Sequence, residues 1–70
     1  MTPATQLARV RRMARNGSAR AIREDAALSL RDMSAEIAVE SSTLWRWEAG
    51  VAVPRRDAAL RWLQVLEELA

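Results

Sequence analysis

The chain contains no cysteine and no histidine. These absences together remove disulfide frameworks, zinc fingers, thiol catalysis and imidazole acid–base chemistry, so neither an enzyme nor a metal or cofactor site is expected. Lysine is absent too, and all eleven basic residues are arginine. That composition fits the codon bias of a GC-rich genome as well as a need for bidentate contacts to phosphate or guanine. No apolar run approaches the roughly 18 residues that span a bilayer. The N-terminal arginines are not followed by the apolar core of a secretory signal, and a cytoplasmic protein is expected. Seventy residues make one small domain, near the size at which a single core is marginal without a metal, a disulfide or a partner subunit.

The net charge of +2 conceals an asymmetry. Residues 1–23 hold Arg9, Arg11, Arg12, Arg15, Arg20 and Arg23 and no acid, a charge of +6; the remainder sets five arginines against nine acids, −4. A basic segment on an otherwise acidic domain is the electrostatic footprint of a nucleic-acid binder, and it would also suit an anionic membrane surface or an acidic protein.

Thr2-Pro3 reads as a helix start, with Thr as N-cap and Pro preset for the first helical position. The helix is predicted to run to about Arg15, with Leu7, Val10 and Ala14 as its apolar stripe, and Asn16-Gly17 as its stop. Ser18 is the expected cap of a second helix through about Ala27, with Ala19, Ile22, Ala26 and Ala27 inward. Ser29 should cap a third helix, with Asp32 accepting from the cap's backbone N–H in a capping box. Leu30, Met33 and Ile37 mark its buried face, and Leu44 and Trp47 mark that of a fourth helix from about Ser41 to Ala49. Only Ala38, Val39 and Glu40 separate the two. Helices joined this tightly should cross steeply and leave one side of the second free, the side carrying Ser41, Ser42, Trp45 and Arg46. After Gly50 and a short loop to Pro54, a last helix from about Arg56 to Leu69 carries more apolar surface than one core face needs. The excess around Leu60, Val65 and Leu69 is a candidate subunit interface.

The stretch Ser29–Gly50, with Pro54 beyond, resembles the phage repressor and Cro-like helix-turn-helix family, also called the XRE family. Ser29 stands at the family's capping serine and Met33-Ser34 at its Leu-Ala-like pair. Ala38-Val39-Glu40 stands at its Gly-Val-Ser turn, Thr43-Leu44-Trp45 at its Thr-Ile-Ser recognition helix, and Glu48-Ala49-Gly50 at its Glu-x-Gly. The spacing is kept without insertion, and the resemblance covers about residues 18–67. It leaves the first helix unexplained. Three positions differ from the family: Ala38 replaces a glycine where a left-handed residue is expected, Glu40 replaces the serine cap, and Leu30 replaces a glutamine that contacts DNA.

The resemblance implies an all-α, five-helix bundle of the lambda-repressor-like helix-turn-helix type with an N-terminal basic helix, divided as residues 1–17 and 18–70. It implies a DNA-binding transcriptional regulator, a repressor or relative of one, that inserts the helix Ser41–Ala49 into the major groove of double-stranded DNA as a homodimer. Carried onto this chain, base contacts fall to Ser41, Ser42, Trp45 and Arg46, and phosphate contacts to Thr43, Arg55, Arg56, Arg12 and Arg15. Arg23 and Glu48 form a structural ion pair, and Trp47 and Trp62 fill core positions. Two other readings stay open: a protein-interaction module such as an antitoxin or adaptor, and an excisionase-like winged helix. The second is suggested by Thr43-Leu44-Trp45-Arg46-Trp47 and requires a β-hairpin after Gly50.

Overall fold

The computed structural model describes residues 1–70. Five helices follow one another: α1 Pro3–Asn16, α2 Ser18–Asp25, α3 Leu30–Glu36, α4 Ser41–Glu48 and α5 Arg56–Leu69. There are no strands, so the hairpin that a winged helix would need after Gly50 is not formed. No helix is long and apolar enough to cross a membrane.

The helix boundaries follow from local chemistry. Thr2 caps α1 through its hydroxyl, which accepts from the Thr5 amide at 3.1 Å. Gly17, at φ 85°, ends α1 and at once serves as the N-cap of α2. The expected cap, Ser18, is therefore the first residue inside α2, and its hydroxyl donates back to the Met13 carbonyl. Ser29 and Asp32 form the full capping box, at 2.9 Å in each direction.

Helices α2, α3 and α4 all end in the same way. A left-handed residue follows the C-cap, and the amide after it bonds five residues back: Leu28 to Arg23, Val39 to Ser34 and Val51 to Arg46. This is the Schellman closure that glycine favours. Gly50 supplies it after α4 at φ 75°, whereas Ala27 and Ala38 adopt φ 59° and 58° after α2 and α3. An L-residue held there costs about 1–2 kcal/mol. The predicted extension of α2 to Ala27 is thus corrected to Asp25, with Ala27 exposed in the turn.

Helix α1 packs along α5 and also meets α2 and α4, while α3 packs on α4. Twelve buried residues drawn from all five elements form one core. Trp47 and Trp62 are both buried, with ring centroids 5.6 Å apart. Truncating either would cost about 3–5 kcal/mol. The Trp62 Nε1 donor has no acceptor, a local loss of about 1–3 kcal/mol that the packing of its ring outweighs. Val10 and Ala14 of α1 belong to the same cluster as Leu63 and Leu66, so the basic first helix shares the core of residues 18–70.

Candidate nucleic-acid interface

Helix α4 is anchored from below and open above. Leu44 and Trp47 are buried, Thr43 is half-buried, and Ser41, Ser42, Trp45 and Arg46 face solvent. Trp45 is 55% exposed, an unusual placement for the largest apolar side chain. Its ring does not fold back over the domain. The Ser41 hydroxyl shares a hydrogen bond of 2.9 Å with Ser34, whose own hydroxyl also lies 3.1 Å from the Arg31 carbonyl. Ser41 therefore ties the start of α4 to the body of α3, and Ser42 carries the uncommitted hydroxyl. Glu40 occupies the N-cap with extended backbone but makes no side-chain capping bond, leaving the first-turn amides of α4 open, as at any uncapped helix start.

The angle of α4 is held at its other end. Arg23 donates to both carboxylate oxygens of Glu48, at 2.8 and 2.9 Å, and through Nη1 to the Leu28 carbonyl at 2.8 Å. The two side chains are 9% and 4% exposed. The hydrogen bond and charge of Glu48 raise the Arg23 pKa above its ordinary value, against the opposing effect of burial. One guanidinium thus joins α2 to the last residue of α4 and also fixes the turn that leads into α3. The expected ion pair is present, together with a backbone role that the sequence did not suggest.

The other arginines divide sharply. Arg11 donates twice to the Pro54 carbonyl, at 3.1 and 3.0 Å. Arg61 donates to the Ile37 carbonyl at 3.0 Å, Arg9 pairs with Glu67 at 3.0 Å and Arg20 with Glu24 at 3.3 Å. Arg11, Arg61 and Arg23 join separate elements through partly buried bonds, while Arg9 and Arg20 are engaged in exposed pairs of small worth. The remaining six, Arg12, Arg15, Arg31, Arg46, Arg55 and Arg56, make no hydrogen bond or ion pair within the chain. All six are exposed.

Five of those six surround the loop that follows α4. Arg15 lines a small depression with Gly50, Val53 and Pro54, and Arg12 lies three residues before it on the same exposed helix surface. Arg55 and Arg56 line a second depression at the start of α5 with Arg61, against one acid, Asp57. Arg46 sits where the loop begins, its carbonyl accepting from Val51. The Arg11 clamp on Pro54 brings these pieces together, since it holds the arginine-bearing half of α1 against the loop. Arg11 and Arg61 escaped the sequence reading because their partners are backbone carbonyls far along the chain, which no side-chain pattern announces. The sixth free arginine, Arg31, lies elsewhere, on α3.

The acidic side has one further resolved feature. Asp32 is held below its usual carboxylate range, chiefly by its hydrogen bond from the Ser29 backbone and then by the Ser29 hydroxyl. There is no grouping of His, Cys, Asp or Glu suited to a metal ion. Compared with known protein families, curated proteins and solved structures, the chain matches none.

Proposed function

We propose that this protein is a sequence-specific DNA-binding regulator of the lambda-repressor-like helix-turn-helix type, with α4 as the helix that enters the major groove. One observation carries the reading: α4 turns Ser42, Trp45 and Arg46 to solvent, and the loop that follows it is flanked by the exposed Arg15, Arg55 and Arg56, with Arg12 one helical turn before Arg15, none engaged within the fold. An α-helix fits the major groove, about 12 Å wide, and its outward side chains meet base edges there. Arg46 presents two parallel donors suited to guanine O6 and N7, Ser42 donates or accepts, and the exposed Trp45 ring offers an apolar surface to a thymine methyl. Ser41 contributes through whatever capacity its bond to Ser34 leaves. The flanking arginines and the open amides near Thr43 take phosphates, which set register and supply affinity without reading sequence. Two copies on a partly palindromic site would place their α4 helices about 34 Å apart, one turn of DNA.

Selection of binding sites from random duplex DNA tests this directly. An enriched half-site motif is expected, repeated at about 10 base pairs if two copies bind. Titration of the selected duplex against salt should give a log–log slope near −3.6 if Arg12, Arg15, Arg55 and Arg56 each neutralise one phosphate. No enrichment together with a flat salt response would end the DNA reading.

A further inference from the structure

At the opposite end of α5 from its arginines lies a groove that DNA binding does not use. Leu28, Met33, Val65 and Leu69 form its floor, within a volume of about 670 Å³ between α3 and the last turns of α5. Leu69 remains 38% exposed, and Leu28 and Val65 are half-buried. Its rim is acidic: Glu36 is the last residue of α3, Glu68 stands in the last turn of α5, and neither carboxylate has a partner in the chain. Asp32 also borders the groove but is committed to its capping box.

The helix ends deepen this negative potential. A helix C-terminus carries about half a negative charge, and a base in its last turn is the stabilising arrangement. Neither α3 nor α5 has one there. Two negative helix ends and two unpaired carboxylates therefore frame an apolar floor, with Arg31 as the single cation on the rim.

We infer that this groove docks a basic amphipathic helix of another protein, apolar residues on the floor and lysines or arginines beside Glu36 and Glu68. A second copy of this chain is the poorer occupant. Symmetric pairing of groove on groove would set one acidic rim against another. The chain's own basic helix, α1, turns its apolar stripe inward, with Val10 and Ala14 buried and Leu7 half-buried, and has none left to offer. The nearest groove residue on α5, Val65, lies nine residues beyond Arg56, about 14 Å along the helix, so the groove's occupant need not compete with whatever the arginines bind. The inference stands on the groove alone and does not require the DNA reading.

The test uses the full chain and two synthetic 14-residue helical peptides, one with leucines at i, i+3, i+4 and i+7 among lysines and alanines, the other with glutamate for each lysine. Methyl NMR should show the lysine peptide shifting Leu28, Met33, Val65 and Leu69, with the glutamate peptide inert. Replacing the rim carboxylates together, Glu36→Gln with Glu68→Gln, should weaken binding about tenfold. Circular dichroism and an unchanged melting curve would show that this surface variant is folded. The inference is overturned if no shift appears up to about 1 mM peptide, a concentration that registers binding worth about 4 kcal/mol. It is overturned equally if the shifts map elsewhere, or if the double variant binds as well as the parent. Sedimentation showing a dimer that Leu69→Gln dissolves would place a second copy in the groove and also overturn it.

Discussion

Removing the carboxylate of Glu48 should come close to unfolding the protein. In Glu48→Ala the Arg23 guanidinium stays in a site where the residue is only 8% exposed, loses two charge-assisted bonds of 2.8 and 2.9 Å, and keeps only the Leu28 carbonyl. Stranding one member of a buried ion pair costs about 3–5 kcal/mol. Domains have about 0.05–0.15 kcal/mol of stability per residue, so a chain of 70 residues holds about 4–10 kcal/mol. A single substitution thus removes a large fraction. The double variant Arg23→Met with Glu48→Leu should recover part of the loss, since it strands no charge. Its residual cost, about 1–3 kcal/mol, is that of the Leu28 carbonyl left without a donor. Urea unfolding of the parent, Arg23→Met, Glu48→Leu and their double variant, followed by the fluorescence of the buried Trp47 and Trp62, measures the cycle, with Glu48→Ala run beside it, and equal m-values would show that the unfolded states are comparable. A coupling of at least about 2 kcal/mol is expected. Additive effects, or a cost for Glu48→Ala below about 1 kcal/mol as at exposed pairs, would refute the argument.

Glu40→Ser gives α4 a competent cap and should raise stability by about 0.5–1 kcal/mol in the same assay; it also removes a negative charge beside the proposed DNA face, so DNA affinity should rise with it. Ala38→Gly relieves the left-handed alanine, and since the gain of about 1–2 kcal/mol exceeds the entropy penalty of glycine, about 0.5–1 kcal/mol, the melting temperature should increase. Arg46→Ala should weaken binding to a selected duplex by about 1–3 kcal/mol while barely changing binding to random DNA; equal loss on both would make Arg46 a phosphate contact. Asp32 has a folded pKa below its unfolded one, so its contribution is present above the ordinary carboxylate pKa of about 4 and is lost as pH falls through the folded value. Asp32→Asn should therefore flatten the acid limb of stability against pH, and an unchanged acid limb would show that the capping box does not control it.

The parts legible in the sequence were those written in side-chain chemistry at short range. Thr2-Pro3, the Ser29–Asp32 box and the limits of α5 could be read because capping residues and apolar periodicity announce them. The Arg23–Glu48 pair and the buried Trp47 and Trp62 were expected from the resemblance to helix-turn-helix repressors. The end of α2 was less legible, because Ala27 performs a task that normally signals itself with glycine, whereas the left-handed Ala38 after α3 stands where the resemblance led one to be expected. The apolar residue one step further on, Leu28 or Val39, was the available clue, since Schellman closures commonly place one there. Ser18 looked like a cap, but Gly17 already provided the break in backbone direction. Arg23 apart, which arginines were structural could not be told: Arg11 bonds a carbonyl 43 positions away and Arg61 one 24 positions away. Backbone acceptors at that range carry no residue-type signature.

The charge layout of α5 has a consequence for motion before any contact. Arg55 and Arg56 stand at one end of this helix beside Asp57, and Glu67, paired with Arg9, and Glu68 stand at the other, and the peptide dipoles point the same way as the balance of side-chain charge. Helix α5 therefore carries an axial dipole within a weakly cationic body. In the field of a polyanion it experiences a torque that turns the arginine end inward while it is still about a Debye length away, roughly 8–10 Å at ordinary salt. Fewer encounters are then wasted on wrong orientations.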